Sequence, residues 1–282
     1  MSAAAEGHQR VDGEARIELK RAADGTTVLA DLFQRAPCRV LFPHVEAGEP
    51  MQSVLLTTSG GLTGGDRTHV AVRVGAQARA TLTTQAAEKI YRALPLTGDA
   101  LVRVDVQVGP ESWVEWLAQE TILFNGARLR RTFSADVAPS SRLLAVESIV
   151  FGRTAMGESF DTGMLHDAWR IRRDGRLAWA DALHLQDDVS QLRTAAFGFG
   201  TSVACSTVLY VGPDATHQLA EARRLLEGCC VPAAATALQG LLLIRVMADD
   251  AAEMRAIIMK LVAGIRHSAA ALPARLPRVW YC

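Results

Sequence analysis

"ALVRVDVQV", residues 100–108, decides the fold class. Val102, Val104, Val106 and Val108 fall on one side of an extended chain, and Arg103, Asp105 and Gln107 on the other. Period-two alternation of β-branched residues predicts a half-buried antiparallel strand whose valines form core. The pattern spreads in both directions. "THVAVRV" (68–74) places Val70, Val72 and Val74 on one face, and "SWVEWLAQE" (112–120) alternates Val114, Trp116 and Ala118. "ARIELKR" and "TTVLADLFQR" flank Asp24-Gly25, and "GMLHDAWRIRRDG" meets "RLAWADALHL" at Asp174-Gly175, so both pairs predict hairpins. Residues 85–93, "QAAEKIYRA", fit a helix by propensity, yet their neighbours alternate, and the segment stays open between helix and strand.

The pattern changes near Gly212-Pro213. Asp214 is placed to cap a helix over "ATHQLAEARRLLEG", "LQGLLLIRVMA" reads as a buried strand, and Asp250 begins the clearest helix. In that helix Met254, Ile257, Ile258, Leu261, Val262 and Ile265 recur at helical spacing. The chain is therefore read as mainly β, in stacked antiparallel sheets, with a small C-terminal helical section. A single domain is expected over 14–282, mostly β to about 211 and α+β over 212–282, with 1–13 as a flexible tail.

Lys plus Arg number 30, equal to Asp plus Glu, which argues against a nucleic-acid partner. Hydrophobic residues make up 49 % of the chain, and zero net charge limits colloidal repulsion, so a sticky protein that needs a partner is expected. The five cysteines are odd in number, scattered, and form no CxxC, which fits a reducing cytoplasm rather than a disulfide scaffold. The first residues hold no secretion-type apolar core, and no run of about 18 apolar residues would span a membrane.

"GGLTGGDRTH" (60–69) invites a phosphate-cradle reading and does not support one. Its spacing is not GxGxxG before a helix, and Gly65 is followed by Asp66 and Arg67 where a P-loop needs Lys then Ser or Thr. A tight glycine connection between two strands is the simpler reading. No two of the seven histidines sit at i and i+4, although His44, His69, His166 or His184 can still converge in space, with Cys38 as a further donor. Ser59, Ser112, Ser148 and Ser159 offer hydroxyls without a nucleophile motif. Glu120, Glu147 and Glu158 lie in or beside apolar stretches, where a carboxylate must be exposed, paired or functional. Pairing with Arg128, Arg130 or Arg153 is the plainer account.

Five blocks in order carry a resemblance. "GGLTGGD" (60–66), "TTQAAEKIYR" (83–92), "WLAQETILFNGA" (116–127), "ESIVFGRTAMGE" (147–158) and "LPRVW" (276–280) together resemble the UreD (UreH) family of urease accessory proteins over nearly the whole chain. The resemblance implies an extended β-helix-like winding of strands with a small helical part, and a cytoplasmic, non-catalytic assembly factor. It implies binding to urease apoprotein and to UreF, with UreG recruited through UreF, and delivery of nickel to the two-nickel site of urease, one proposed route being a water-filled tunnel. No tightly bound cofactor is implied, only transient nickel. Neither a nucleic acid nor a membrane is expected as a partner. Mapped here, the family loop is Gly60, Gly61, Gly64, Gly65 and Asp66; Lys89, Tyr91, Arg92, Trp116 and Gln119 are candidates for a partner surface; and Asp66, Glu120, Glu147 and Glu158 are candidates for passing nickel. No set of residues is assigned as a metal site. Ala118 stands where relatives commonly carry proline, which removes a backbone constraint.

Two alternatives remain at this level. One is a scaffold that holds urease open while nickel travels outside it, for which a solid core and an exposed apolar patch would speak. The other is an independent β-rich hydrolase, which needs a pocket holding a Ser–His pair within hydrogen-bond reach.

Overall fold

The computed structural model describes residues 10–282. The first half of the chain runs through β1 (Asp12–Arg21), β2 (Thr27–Arg35), β3 (Cys38–Leu41), β4 (Met51–Thr57), β5 (Arg67–Val74), β6 (Arg79–Thr84) and β7 (Glu88–Ile90). It continues through β8 (Ala100–Val108), β9 (Trp113–Leu117), β10 (Thr121–Leu123), β11 (Arg128–Val137) and β12 (Arg142–Phe151). Then come β13 (Thr162–Arg173), β14 (Arg176–Asp188), α1 (Val189–Thr194) and β15 (Ala204–Val211). The last part holds α2 (Gln218–Leu226), β16 (Ala233–Leu238), β17 (Leu241–Ala248) and α3 (Ala251–Ala270). β1 begins at Asp12, inside the stretch 1–13 expected as a tail; residues 1–9 lie outside the described residues.

Two sheets hold these strands. One has the order β14-β13-β11-β8-β5-β1-β2; the other runs β16-β17-β15-β12-β9-β6-β4-β3, with β10 and β7 beside β12. From β4 to β13 the longer strands alternate between the sheets, so the chain winds as a flattened coil, the winding that the family resemblance implied. Each turn lays a strand parallel to the one before. The strand at 100–108 pairs in parallel with β5 on one side and β11 on the other, not antiparallel as expected. Alternation reports that one face is buried, and it is silent on strand direction. Parallel strands usually carry apolar residues on both faces because helices cover both sides. Here β5, β8 and β11 face the core on one side and keep charged residues on the other, and so mimic an antiparallel pattern. Antiparallel pairing is confined to the ends, as in the hairpins β1–β2 and β13–β14. Asp174 and Gly175 both take positive φ in the β13–β14 turn, as a two-residue hairpin loop with the strands' twist requires.

Packing is in three layers. Val72, Val104, Val106, Phe133, Trp169 and Ile171 of the seven-stranded sheet meet Leu82, Val114, Trp116, Ala145 and Leu209 of the other. The second sheet is buried on its far face as well, where Leu144, Val208, Tyr210 and Ile244 meet the helices. The stripe Met254, Ile258, Leu261 and Ile265 of α3 is fully inside this layer. Asp250 caps α3, accepting from the Ala252 N–H at 2.7 Å. Asp214 does not cap α2. Its carboxylate accepts from Tyr210 Oη at 2.7 Å and Arg142 Nε at 3.1 Å, and the helix starts later, at Gln218. The open segment 85–93 contains strand β7, and the short helix α1 has no counterpart in the sequence reading. Ile258→Ala is expected to cost about 2–4 kcal/mol in urea unfolding; a loss below roughly 0.5 kcal/mol, the range of surface substitutions, would place the stripe outside the core.

Candidate functional site

Four of the five family blocks stack at one end of the coil. Leu62 bridges in parallel to Ile90, Ile90 pairs with Leu123, and Leu123 pairs with Phe151. These four residues, with Phe160, form one buried apolar rung. The glycine loop reaches this rung by close backbone approach. A Cβ on Gly61 would lie 2.5 Å from Tyr91 Cε2 and 2.8 Å from the Lys89 carbonyl oxygen. One on Gly64 would lie 2.3 Å from Thr97 Oγ1 and 2.6 Å from the Gly98 carbonyl oxygen. Gly60 and Gly65 take positive φ as the chain turns. Asp66 is buried and staples the loop: its two oxygens accept from the Val11 N–H at 2.9 Å and the Thr63 N–H at 2.8 Å. Both carboxylate oxygens are therefore engaged by backbone.

Tyr91 closes over the loop, donating to the Gly60 carbonyl at 2.9 Å and meeting Phe124 edge-on at 4.9 Å. Arg153 lies over the Phe124 ring, 4.3 Å from its centroid, and pairs with Glu158. That ion pair is at the surface, and Arg153 holds the Glu158 carboxyl below the usual carboxylate range. Lys89 and Arg92 are exposed beside it. Leu94, Leu96 and Met156 add exposed apolar side chains on the neighbouring loops.

Trp116 and Gln119, expected on a partner surface, are instead buried. The phase of β9 turns Trp116 into the core, where Nε1 donates to Glu147 Oε1 at 2.9 Å. Gln119 and Glu120 belong to a clamp on the C-terminal block. Gln119 Nε2 donates to the Val279 carbonyl at 3.2 Å, and Arg255 of α3 binds Glu120 at 2.8 Å, Gln119 at 3.0 Å and the Trp280 carbonyl at 2.9 Å. Trp280 Nε1 reaches Thr83 Oγ1 at 3.0 Å. The third and fifth blocks thus hold each other.

Between the sheets, beneath the stacked blocks, lies a cavity of about 300 Å³. Cys38, Thr57, Glu88, Trp116, Arg131 and Glu147 are among its walls. Of the four residues expected to pass nickel, Glu147 alone lines it; Asp66, Glu120 and Glu158 are held elsewhere as described. Two of the cavity's wall residues, Arg131 and Glu147, belong with Asp167 to a buried ionic triad that the sequence reading missed. Arg131 grips Asp167 through two bonds of 2.8 Å, reaches Glu147 Oε2 at 2.5 Å and donates to Thr121 Oγ1 at 2.9 Å. Two carboxylates share one guanidinium. Burial, with Asp167 adding its charge, raises the Glu147 pKa against the pull of Arg131. Glu88 is different: Thr57 Oγ1 donates to it at 3.3 Å, and among the described residues no cation forms an ion pair with it. Burial pushes its carboxyl above the ordinary range. Burial likewise raises the Cys38 thiol to about 11.

The pairings proposed from sequence are partly replaced. Glu158 does pair with Arg153, but Glu147 pairs with Arg131 and Glu120 with Arg255, while Arg128 and Arg130 both turn to Asp99. None of Ser59, Ser112, Ser148 and Ser159 is hydrogen-bonded to a histidine among the described residues; Ser148, for example, meets Ser206 at 2.8 Å. No cluster of three or more His, Cys, Asp or Glu side chains is arranged to hold a metal ion among the described residues.

The family model described as "UreD urease accessory protein" matches residues 11–281. The chain belongs to the UreD family. It is 40 % identical over 272 residues to the urease accessory protein UreD of Rhizobium leguminosarum bv. trifolii (strain WSM2304), covering 96 % of each chain. It is 40 % identical to the UreD of Methylobacterium sp. (strain 4-46), covering 96 % of this chain and 95 % of that one. With UreD 2 of Methylorubrum populi (strain ATCC BAA-705 / NCIMB 13946 / BJ001) the identity is 42 %, over 96 % of this chain and 91 % of the relative.

Two substitutions test the reading of the site. Asp66→Ala removes an acceptor from two N–H groups and is expected to cost about 1–3 kcal/mol. Gly64→Val is expected to be the worse of the two in soluble yield and melting temperature, because the added carbons meet the Gly98 backbone; wild-type behaviour of Gly64→Val would refute the close-packing account. Arg131→Met leaves two carboxylates facing each other and is expected to lose about 3–5 kcal/mol in denaturant unfolding. Adding Glu147→Gln and Asp167→Asn should recover part of that loss, and no recovery would show that charge is not its cause.

Proposed function

We propose that this UreD-family chain is a non-catalytic accessory protein of urease maturation, acting in the cytoplasm. In this reading it binds urease apoprotein, bridges it to UreF and through UreF to UreG, and passes nickel through the cavity between its sheets. The observation that carries the reading is the placement of that cavity. It lies directly beneath the stacked family blocks and contains a carboxyl, Glu88, with no cationic partner among the described residues. Glu88 is half-buried; a partly desolvated carboxyl without a counter-charge is costly, and such groups concentrate where a ligand or proton is exchanged. Nickel is the cargo here. Its passage needs ligands that bind weakly enough to release, and oxygen donors suit that better than a closed site. Glu88 would meet the ion first, and Glu147 lies deeper on the same wall. Arg131, fixed by Asp167, keeps the inner end from accumulating negative charge and so from trapping a cation.

The exposed Tyr91, Leu94, Leu96 and Met156, rimmed by Arg92 and Lys89, support a docking role for the same end. They also support the second reading, a scaffold that holds urease open without conducting. The two readings separate on Glu88→Gln, which keeps size and polarity and removes the ionisable oxygen. Urease produced together with UreF, UreG and this variant is expected to co-purify normally yet to be nickel-poor. With the unaltered chain, loading should rise with pH through a range above the ordinary carboxylate pKa, as Glu88 loses its proton. The variant should lack that dependence. Full nickel content with the variant would contradict conduction and favour the scaffold; failure of the unaltered chain to retain urease would contradict both.

A further inference from the structure

The outer face of the seven-stranded sheet carries a histidine pair, separate from the cavity. His166 on β13 and His184 on β14 are direct cross-strand partners. Their rings meet edge to face with centroids 5.5 Å apart and planes at 65°. Neither ring is hydrogen-bonded to protein among the described residues, whereas His69 is engaged by Asp105 at 2.8 Å and His267 by the Leu272 carbonyl at 2.9 Å. His184 is exposed and His166 partly so, which leaves solvent access to the pair.

We propose that His166 and His184 form a two-imidazole site for a borderline first-row divalent cation, Ni²⁺ or Cu²⁺, on this outer face. The distances come close. An imidazole nitrogen binds such an ion at about 2.1 Å, so a ring centroid sits roughly 3.2 Å away, and two rings at about 90–110° around one ion have centroids roughly 4.6–5.3 Å apart. The observed 5.5 Å lies just beyond that range. Imidazole is the side chain that these metals favour. The charged side chains nearest His166 on this face are Arg130 and Arg170. Asp167, the other ionisable neighbour on β13, lies inside the coil on Arg131.

The same neighbours set the strength. Arg130 is in register with His166 on β11, and its guanidinium turns towards Asp99 at 3.4 Å. Arg170, two positions past Ala168, donates to the Trp169 carbonyl at 2.8 Å. Two nearby cations and only two protein donors make a weak, exchangeable site, with water or a donor from another molecule completing the coordination. It is a surface holding point, and it does not depend on any passage through the cavity.

Equilibrium dialysis of the tag-free full chain against NiCl₂ in a non-coordinating buffer tests the proposal. One Ni²⁺ equivalent should be lost in His166→Ala and in His184→Ala, and retained in His69→Ala. Cu²⁺ should bind more tightly than Ni²⁺, and Mg²⁺ should not compete. Arg130→Ala should tighten the site. A measurement on the unaltered chain avoids any question of folding: Ni²⁺ should broaden the ring proton resonances of these two histidines at the lowest metal ratios. Unchanged stoichiometry in the double variant His166→Ala/His184→Ala, or broadening that spares both rings, would overturn the proposal.

Discussion

One buried arginine joins the two sheets. Arg131 leaves β11, takes Asp167 of the neighbouring strand, and crosses the core to Glu147 and Thr121 of the opposite sheet. Ion pairs in such a place do not add much net stability over apolar packing, because each charge has lost its hydration. What they impose is register. A coil of parallel strands can slip by two residues and still bury an apolar face, but it cannot do so and keep a guanidinium between two fixed carboxylates. The same device recurs between the second sheet and the helices. Arg266 of α3 is 1 % exposed and binds Glu115 at 2.9 Å and Glu49 at 2.8 Å, with the C-terminal carbonyls of Pro273 and Arg275 around it. Arg255 repeats it one layer edge further on, with Glu120. Three arginines thus hold three layers together, and all five family blocks contribute to the contacts around them or to the rung above.

Much of this was legible in the chain, and the missing part has a specific cause. Alternation found the strands and the buried valines, and the helical period found the stripe of α3. Strand direction was invisible, because a two-layer coil leaves each strand of the outer sheet with one wet face, whatever its direction. The winding came from resemblance alone, since its turns differ in length: Arg67 pairs with Leu101, Leu101 with Arg130 and Arg130 with His166, and no fixed period exists to be seen. The charged bolts did leave a signal. Arg131 falls in phase with Leu129, Phe133 and Ala135; Asp167 with Leu165, Trp169 and Ile171; and Glu147 with Leu143, Ala145 and Ile149. A charge in the buried phase of a strand must find its opposite across the core, and three such charges in neighbouring strands point to one another. Glu147 drew notice for that reason, whereas its true partner did not, because "RLRR" reads locally as a solvated basic run.

The cavity is the part the chain could not announce. Glu88 sits on a strand of three residues, too short for alternation to say which way it points. Cys38 is a single cysteine on a strand of four. Their meeting between the sheets depends on the glycine loop drawing the Leu62–Ile90–Leu123–Phe151 rung tight above them. Close packing at that end lies above open space: the glycines remove side chains where backbones cross, and a largely apolar wall carrying Glu88, Arg131 and Glu147 encloses the space below. The blocks that mark the family therefore serve structure first, and of their residues Lys89, Tyr91 and Arg92 stay exposed.

The central claim is that nickel enters the space between the sheets. Anomalous X-ray scattering at the nickel edge tests it most directly, on crystals of the chain bound to urease apoprotein and exposed to Ni²⁺. The account predicts anomalous density inside the cavity, within ligand reach of Glu88 or Glu147. Anomalous density confined to positions outside the coil, with the cavity clear of it, would contradict the account.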